Sequence, residues 1–454
     1  MKRIRIEINA SRRGIRFDVP GTRMFKSGGF DLQYSFDTST SDRGLLSMGL
    51  GLLAPIIDRN VPGEIEIVLP QPMPEADVLA WRRYHMLPSR IHVRTATTQH
   101  KPLARSSEPS GNSPIGLLYG GGKDSVAALV LAEQLYPNRP RDLLRMHWSA
   151  KSPERHREAF ESHVLPTLGK RTSFEYFSVS STMHAEVIDR ADAASIHLAR
   201  YLCSFIPYIE ARHPHFLCHG YDALEFHGSA YRRAHPQVLR YIDSVYRDLG
   251  VPTTIRSLCF ALPPKLGFGM IAKLRPDLVP AIYMCESLDA RWCYKCRKCF
   301  TYGILCLAYA VEAEGFDLQR MFNPAGSYMT RIAAQLERTD SSYTPLELAD
   351  LLAYPAHFQA VSGWGEDVVR GARVLKLPTE ATSLLERTFL AIRSHSRLHM
   401  DELWIQAAAY EGGTDFARGL RTIGERHDLG LLDLPAVGGT VKGKNVRYLM
   451  FDIE

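Results

Sequence analysis

A glycine-rich stretch at residues 117–126, with the sequence LLYGGGKDSV, has the composition of an anion-binding loop. Glycines let the backbone approach an anion closely, and free amides at the start of a helix point toward it. Two common nucleotide motifs do not fit. Asp124 follows Lys123 where a Walker A loop needs Ser or Thr, and the third glycine of a dinucleotide-binding fingerprint is missing. Residues 120–125 (GGGKDS) therefore predict a phosphate site of another type.

Four cysteines clustered in one short segment form a second candidate site. They are Cys285, Cys293, Cys296 and Cys299. Zn²⁺ prefers four soft ligands in a tetrahedron, and four thiolates leave no position for water, so a zinc ion there would be structural. A C-x2-C-x2-C run also occurs in iron–sulfur proteins, and free thiols are a third interpretation. We expect the scattered cysteines to be buried small apolar residues: Cys203, Cys218, Cys259 and Cys306.

Hydrophobic patterning divides the chain into four predicted parts. Residues 1–97 show short alternating runs typical of a strand-rich domain, and residues 98–114 are rich in Ser, Pro and Gly, as linkers are. Residues 115–310 alternate strands with helices, which predicts an α/β fold with a parallel sheet and a zinc loop at 285–299. Residues 311–454 predict a helical domain.

The individual elements follow from the same patterns. We predict strands at 1–9, 14–19, 30–36, 64–69, 90–95, 115–119, 143–148, 174–179 and 216–220. We predict helices at 123–135, 153–168 and 193–211. Ligands of parallel sheets bind beyond the carboxyl ends of the strands, and this is where the glycine stretch falls.

Three predicted helices and a hairpin resemble a winged helix at the end of the chain. The helices are at 380–394, 400–409 and 415–427, and the strands are at 429–434 and 446–453. The third helix carries Arg418, Arg421 and Arg426. A domain that packs on the sheet or makes a dimer contact, a DNA-binding domain and a protein-docking domain all fit this pattern.

The segment Gly120–Ser125 resembles the SGGxDS loop of the N-type ATP pyrophosphatases, the PP-loop family. The resemblance implies cleavage of ATP between the α and β phosphates, with AMP transferred to an acyl or carbonyl oxygen. It assigns ATP binding to Gly120, Gly121, Gly122, Lys123, Asp124 and Ser125. Lys123, Asp124 and Ser125 would be catalytic, and Asp124 would help to hold Mg²⁺. Gly120 stands where the family has its first serine, so one phosphate-binding hydroxyl is missing.

This loop followed by C-x7-C-x2-C-x2-C resembles the 7-cyano-7-deazaguanine synthase (QueC) family over residues 115–307. In that family a four-cysteine zinc site follows the ATP-binding sheet. The family activates 7-carboxy-7-deazaguanine as an acyl adenylate, and ammonia converts it to an amide and then a nitrile. Residues 148–158 and 218–225 agree with the family more loosely. The resemblance implies ATP, Mg²⁺ and Zn²⁺ as cofactors and a deazaguanine-type carboxylate as substrate.

The departures from the family fall where substrate is recognised. Residues 230–237 (AYRRAHPQ) replace a Tyr-Pro-Asp-Cys-Arg run, and Tyr302 replaces an arginine. The chain also extends beyond the family's length at both ends. Long relatives of this kind are similar to components of bacterial anti-phage systems, including Qat and type IV CBASS operons. This similarity implies that the acyl group passes to a protein amine on a partner from the same operon.

Three polar residues at the end of the fourth predicted strand of the α/β part are candidates for substrate contact. His219 and Asp222 are placed to face an adenylate, and Glu225 is placed to hold substrate or magnesium. A solvated loop acid is the competing interpretation of Glu225.

Composition and charge exclude several protein classes. The net charge of +6 permits an anionic ligand and does not demand a nucleic-acid partner. The most apolar segment, 44–57, is too short to cross a bilayer, and no leader pattern opens the sequence. We therefore expect a cytoplasmic protein without a membrane partner.

Three alternatives to transfer onto a protein amine stay open at this point. The first is a free-standing nitrile synthase, for which ammonia would suffice as the acceptor. The second is a tRNA sulfur transferase, which would require a thiolate nucleophile at Cys203 or Cys218. The third is a non-catalytic nucleotide-binding scaffold, for which Gly120 in place of serine would weaken the hold on phosphate.

Overall fold

The structure is a computed structural model, and its description is confined to part of the chain. The described residues are 1–83, 87–96, 112–148, 153–188, 202–220, 253, 255–259, 264–285, 287, 290–337, 364–393, 422 and 426.

The strands in this part of the chain are numbered in sequence order. They are Lys2–Arg5 (β1), Glu7–Ala10 (β2), Gly14–Asp18 (β3), Gly29–Tyr34 (β4), Ile65–Val68 (β5), Met73–Pro74 (β6), Ile91–Val93 (β7), Thr95–Ala96 (β8), Ile115–Leu118 (β9), Arg141–Trp148 (β10), Glu175–Ser181 (β11), Phe216–His219 (β12) and Ile255–Ser257 (β13).

The helices are numbered in the same way. They are Asp42–Asn60 (α1), Glu75–Arg83 (α2), Lys123–Leu135 (α3), Pro153–His163 (α4), Leu165–Gly169 (α5), Met183–Glu186 (α6), Ile206–Arg212 (α7), Pro264–Leu274 (α8), Arg297–Ala308 (α9), Leu318–Met321 (α10), Ser327–Leu336 (α11), Trp364–Val374 (α12) and Thr379–Arg393 (α13). A 3₁₀ helix spans Pro276–Ala281.

The central feature is an eight-stranded sheet in the order β13-β12-β9-β10-β11-β4-β3-β2. The first five strands in this order pair in parallel, as the strand–helix alternation predicts. Strand β9 comes first along the chain among these five yet lies in their middle, so the order is that of doubly wound α/β sheets. The chain therefore leaves β9 toward β10 and later returns to β12 on its other side.

The N-terminal strands extend this same sheet. Strand β4 pairs antiparallel with β11, and β3 and β2 follow as an antiparallel meander. The hydroxyl of Thr182, just after β11, accepts a hydrogen bond from the backbone amide of Asp31 at 2.8 Å. Strands β2, β3 and β4 therefore share a sheet with the α/β part, and a domain division at residues 98–114 stays a prediction.

The first predicted strand is in fact two strands in different sheets. Strand β1 pairs in parallel with β5 in a three-stranded sheet of order β1-β5-β7, whereas β2 pairs with β3. Between them the amide of Ile6 donates to the carbonyl of Val68 at 2.9 Å. The alternation of Ile4 and Ile6 is a local pattern that fits either sheet, so sequence could not show the crossing.

Helices cover both faces of the large sheet and bury two apolar cores. Helices α3, α8 and α9 pack with one face, and α1 and α7 pack with the other together with the N-terminal strands. Alternate residues of β10 enter different cores, with Leu143 in one and Leu144 and Met146 in the other. This alternation explains why the strand carries apolar residues on both of its faces.

The predicted helix at 153–168 is interrupted. Helix α4 ends at His163 and α5 begins at Leu165, with Pro166 in its first turn. Proline has no amide hydrogen and fits only the first turn of a helix, so it starts a new helix here. The helix predicted at 123–135 matches α3 at both ends, and the part of 193–211 before residue 202 lies outside the described residues.

The described C-terminal helices pack against the α/β core. Helix α12 contacts α9, and α13 contacts α11 and α12. The predicted helix at 380–394 is confirmed as α13. The other winged-helix elements, including Arg418 and Arg421, lie outside the described residues, and Arg426 is described only as an exposed helical residue. In the described part of the chain, no helix has the length and apolar character that a membrane span requires.

Candidate functional site

The glycine loop, residues 120–125, lies at the carboxyl end of the central strand. Strand β9 ends at Leu118 and α3 begins at Lys123, so the loop joins a buried strand to a helix N-terminus. The neighbouring strand β12 ends at His219 on the side where the strand order reverses. This edge of a doubly wound sheet is where such folds bind ligands.

The backbone of the glycine loop leaves the start of α3 open. Gly121 has a φ of +79°, a conformation that glycine adopts without strain. Gly122 is the N-cap of α3 and supplies no side-chain hydrogen bond. The amide of Gly120 donates to the Ser125 hydroxyl oxygen at 2.8 Å, which closes the loop. The first amides of α3 therefore receive no side-chain cap, and an anion can occupy that position.

The end of β12 lies directly against the glycine loop. A Cβ placed on Gly220 would be 2.8 Å from the carbonyl carbon of Asp124 and 3.0 Å from the amide nitrogen of Ser125. Only glycine permits such an approach without displacing the backbone. The contact through Gly220 brings the ends of β9 and β12 together.

The charged residues of the loop contact each other. The Lys123 ammonium forms a short ion pair with the Asp124 carboxylate, and Lys123 is buried. The Cys259 thiol lies 3.2 Å from the Asp124 carbonyl oxygen, so it can donate a hydrogen bond there. Sequence reasoning had placed Cys259 only among the buried cysteines, and its position beside the loop is a finding of the structure.

A buried polar cluster lies beside the loop on β10 and α4. Arg145 and His147 occupy alternate positions of β10, and His156 comes from α4. An Nη of Arg145 is 3.3 Å from Nε2 of His156, and Nε2 of His147 is 2.8 Å from the Tyr176 hydroxyl. Sequence reasoning missed Arg145 and His147, although two polar residues on one face of an apolar strand are a readable signal.

Burial keeps the histidines of this region neutral. Desolvation, with a smaller contribution from the Arg145 charge, lowers the pKa of His147 to about 2 and the pKa of His156 to about 4. Desolvation lowers the pKa of His219 to about 3. Each imidazole is therefore uncharged near neutral pH and has one nitrogen that donates and one that accepts a hydrogen bond.

The four predicted metal ligands converge on one point. The sulfur atoms of Cys285, Cys293, Cys296 and Cys299 all lie within 4.8 Å of one another. This spacing fits a single metal ion with four thiolate ligands and is consistent with zinc.

Backbone amides support the sulfur atoms. The Cys285 sulfur accepts from the amide of Cys293 at 3.2 Å, and the Cys296 sulfur accepts from the amide of Cys299 at 3.4 Å. The Cys296 side chain also caps the start of α9. The cysteine sulfur atoms are thus positioned by backbone hydrogen bonds and by a helix cap, in addition to being close in sequence.

The close packing of the thiols opposes their ionisation unless a cation is bound. Hydrogen bonding with Cys296 is the largest cause that raises the pKa of Cys285, to about 12. Hydrogen bonding with Cys285 raises the pKa of Cys299. A divalent metal would reverse this effect by pairing with the thiolates.

The cysteine cluster adjoins the glycine loop through Tyr283. The Tyr283 amide donates to the Gly121 carbonyl at 2.6 Å, and its hydroxyl donates to the Ser287 carbonyl at 3.0 Å. Cys285 follows two residues after Tyr283. The segment that begins the cysteine cluster therefore also fixes one carbonyl of the loop.

The remaining predicted residues have different outcomes. His219 is buried at the end of β12, with 3% of its surface exposed, while Asp222 and Glu225 lie outside the described residues. Cys203 and Cys218 are both buried, and Cys203 lies beside Gly51 of α1 in the core on the α1 side of the sheet. A sulfur-transfer reaction needs an accessible nucleophilic thiol, and both of these thiols are shielded from solvent in the structure.

Comparisons of the chain with protein-family models, with curated proteins and with solved structures give no match.

Proposed function

We propose that this chain is an ATP-dependent ligase of the 7-cyano-7-deazaguanine synthase type. A substrate carboxylate attacks the α-phosphorus of ATP, the bond to the β-phosphate oxygen breaks, and pyrophosphate leaves. The resulting acyl adenylate is attacked by an amine, which forms an amide and releases AMP and a proton. The observation that carries this proposal is the position of the glycine loop, at the carboxyl end of β9 where the strand order reverses.

The cysteine cluster supports the same proposal. The sequence resemblance joins an ATP-binding loop with a four-cysteine site, and the two sites adjoin through the 2.6 Å hydrogen bond from Tyr283 to Gly121. Zinc held by four thiolates would supply a structural cross-link without an open coordination position. Its contribution would be to hold the segment around Tyr283 in place.

The residues of the glycine loop have distinct roles in this proposal. The uncapped amides at the start of α3 bind the polyphosphate. Ser125 accepts a hydrogen bond through its oxygen and keeps its hydroxyl hydrogen for a phosphate oxygen. Magnesium would neutralise charge on the polyphosphate, with Asp124 as its carboxylate ligand. Lys123 then exchanges its contact with Asp124 for a phosphate oxygen.

The acceptor in this proposal is a protein amine on a partner of an anti-phage system. The support for it is the sequence resemblance to the long relatives of the family. Three buried neutral histidines, His147, His156 and His219, lie in the region of the loop. Ammonia as acceptor would make the chain a nitrile synthase, and the experiment below separates the two acceptors.

Nucleotide product analysis tests the proposal. The full chain is incubated with magnesium-ATP and 7-carboxy-7-deazaguanine, with and without ammonium, while AMP, pyrophosphate and the mass of the base are followed. We expect pyrophosphate release only when the acid is present. An equal amount of AMP should become free once an amine or water cleaves the acyl adenylate. A nitrile mass with ammonium would identify the nitrile synthase, and pyrophosphate release without a nitrile would favour a protein amine.

Two variants sharpen this experiment. Asp124→Ala should slow pyrophosphate release by about 100-fold or more, because the Mg²⁺ that stabilises charge in the transition state would lose its carboxylate ligand. Asp37→Asn is the matched control, since Asp37 pairs with Arg12 and Arg13 on an exposed surface. No pyrophosphate release from the wild-type chain under any condition would refute the proposed reaction. A folded Asp124→Ala protein with the normal rate would refute the role of that residue.

A further inference from the structure

A buried arginine lies where the glycine loop begins. Strand β10 pairs with β9 only as far as Leu144 and Leu118, and Arg145 is the next residue of β10. It therefore lies level with Tyr119 and the start of the loop, and 7% of its surface is exposed. It shares a face of β10 with His147, on the side of the sheet that packs against α3 and α4.

Every contact of the Arg145 guanidinium in the described part of the chain is with a neutral group. One Nη donates to the Tyr119 carbonyl at 3.4 Å and the other donates to Nε2 of His156 at 3.3 Å. The guanidinium carbon lies 4.5 Å from the centre of the Phe160 ring. Nε is buried without a hydrogen-bond partner among the described residues.

Several other partly buried arginines are paired with carboxylates, whereas Arg82 and Arg291, which are less buried than Arg145, donate to backbone carbonyls. Arg43 forms an ion pair with Asp77, Arg212 with Asp142 at 3.1 Å, and Arg275 with Glu133. A cation removed from water without a counter-charge is costly to the fold. The position of Arg145 is therefore better explained by an anion that binds there than by the stability of the ligand-free protein.

Gly120 leaves space for this anion beside the guanidinium. A Cβ at Gly120 would lie 3.3 Å from Nη1 of Arg145 and 3.3 Å from the Ser125 hydroxyl oxygen. The guanidinium and the loop hydroxyl thus flank the same position. The Tyr119 hydroxyl is also buried without a partner among the described residues.

We propose that Arg145 binds an anionic oxygen of the polyphosphate held by the glycine loop, in place of the side chain that Gly120 lacks. This inference rests on the proposed function, because it assigns a second contact to the same ligand. A guanidinium can donate two parallel hydrogen bonds to a phosphate, which a serine hydroxyl cannot do. The absent hydroxyl therefore does not imply weak binding of ATP.

Calorimetric titration of the full chain with pyrophosphate and magnesium tests the inference. Arg145→Met should weaken pyrophosphate binding by about 10- to 100-fold, the effect of losing a charged hydrogen bond. Its unfolding temperature without ligand should equal or exceed that of the wild type, because an unpaired buried charge is removed. Arg141→Met is the matched control on the same strand, at the end away from the loop, and should bind pyrophosphate as the wild type does.

Arg145→Lys covers the case in which the methionine variant does not fold. It keeps the charge and loses the paired donors, so binding should weaken by about tenfold. Pyrophosphate binding unchanged in both folded variants overturns the inference. So does a large fall in unfolding temperature with unchanged binding, because that result would show a structural ion pair with a carboxylate outside the described residues.

The outcomes also separate this inference from the proposed function. Wild-type binding of pyrophosphate that Arg145→Met weakens supports the role of Arg145 even when no AMP is formed. AMP formation that is unaffected in Arg145→Met overturns the role of Arg145 and leaves the ligase reaction standing. A wild-type chain that binds neither pyrophosphate nor ATP overturns both.

Discussion

Replacing Gly220 with alanine tests whether the end of β12 must lie against the glycine loop. The added Cβ would approach the carbonyl carbon of Asp124 to 2.8 Å, its carbonyl oxygen to 2.9 Å and the amide nitrogen of Ser125 to 3.0 Å. All three are backbone atoms in the first turn of α3, so they cannot rotate away as the end of a side chain can. The substitution must therefore move one backbone segment relative to the other.

The size of this movement sets the expected effect. Ordinary contacts of a Cβ begin at 3.4 Å, so an approach to 2.8 Å requires the segments to separate by roughly 0.6 Å. Overpacking of this kind lowers the free energy of unfolding by about 1–3 kcal/mol. A shift of several tenths of an ångström in Asp124 and Ser125 should also slow AMP formation by about 10- to 100-fold.

Denaturant unfolding and the AMP assay measure the two effects. Gly267→Ala is the matched control, because its Cβ would meet only the Ala127 Cβ at 3.7 Å, an ordinary contact. Gly267 lies inside α8, where alanine is favoured over glycine by about 0.5–1 kcal/mol, so this variant should be more stable than the wild type. Wild-type stability and wild-type rate in Gly220→Ala would refute the close contact and the reasoning built on it.

Two further predictions concern the metal and pH. Cys296→Ser should lose bound zinc in elemental analysis and unfold at a lower temperature, because three thiolates remain of four. Cys203→Ala, in the other core, should keep its zinc, and an iron–sulfur absorbance band or a metal-free wild type would contradict zinc. The free energy of unfolding should fall as pH drops from about 6.5 to about 4, because His147, His156 and His219 stay neutral when folded and gain protons when unfolded. Replacing His219 with Gln should reduce this dependence by about 1.4 kcal/mol per pH unit, and an unchanged slope in urea unfolding at pH 7, 6 and 5 would contradict the prediction.

Sequence patterns predicted those features that depend on residues close together in the chain. The helix Lys123–Leu135 has the predicted bounds, because its apolar periodicity begins directly after the glycines. The cysteine cluster was predicted for the same reason: ligands within fifteen residues can reach one ion whatever the rest of the fold does. The parallel sheet also followed from local alternation of strands and helices.

The sequence did not predict how distant segments would join. Strand β4 pairs with β11, and β1 leaves the large sheet for β5, although both belong to the predicted N-terminal strands. Which strands pair depends on which edges of a sheet are free and on how the chain between two distant strands closes. The alternation of apolar and polar residues along a strand contains neither kind of information. The break in the predicted helix at 153–168 occurs at Pro166. The structure shows that this proline lies in the first turn of a new helix, α5.

The sequence by itself determined which groups were available for chemistry: a glycine loop at a helix start and four thiolates for one metal. The tertiary structure decided which other groups lie beside them. It brings Tyr283 to Gly121, Gly220 to Asp124, and the Arg145 guanidinium to the space beside Gly120. These contacts join residues that are far apart in the chain. Those of Gly220 and Arg145 arise because parallel strands present their carboxyl ends at one edge of the sheet, and that of Tyr283 comes from the segment after the 3₁₀ helix.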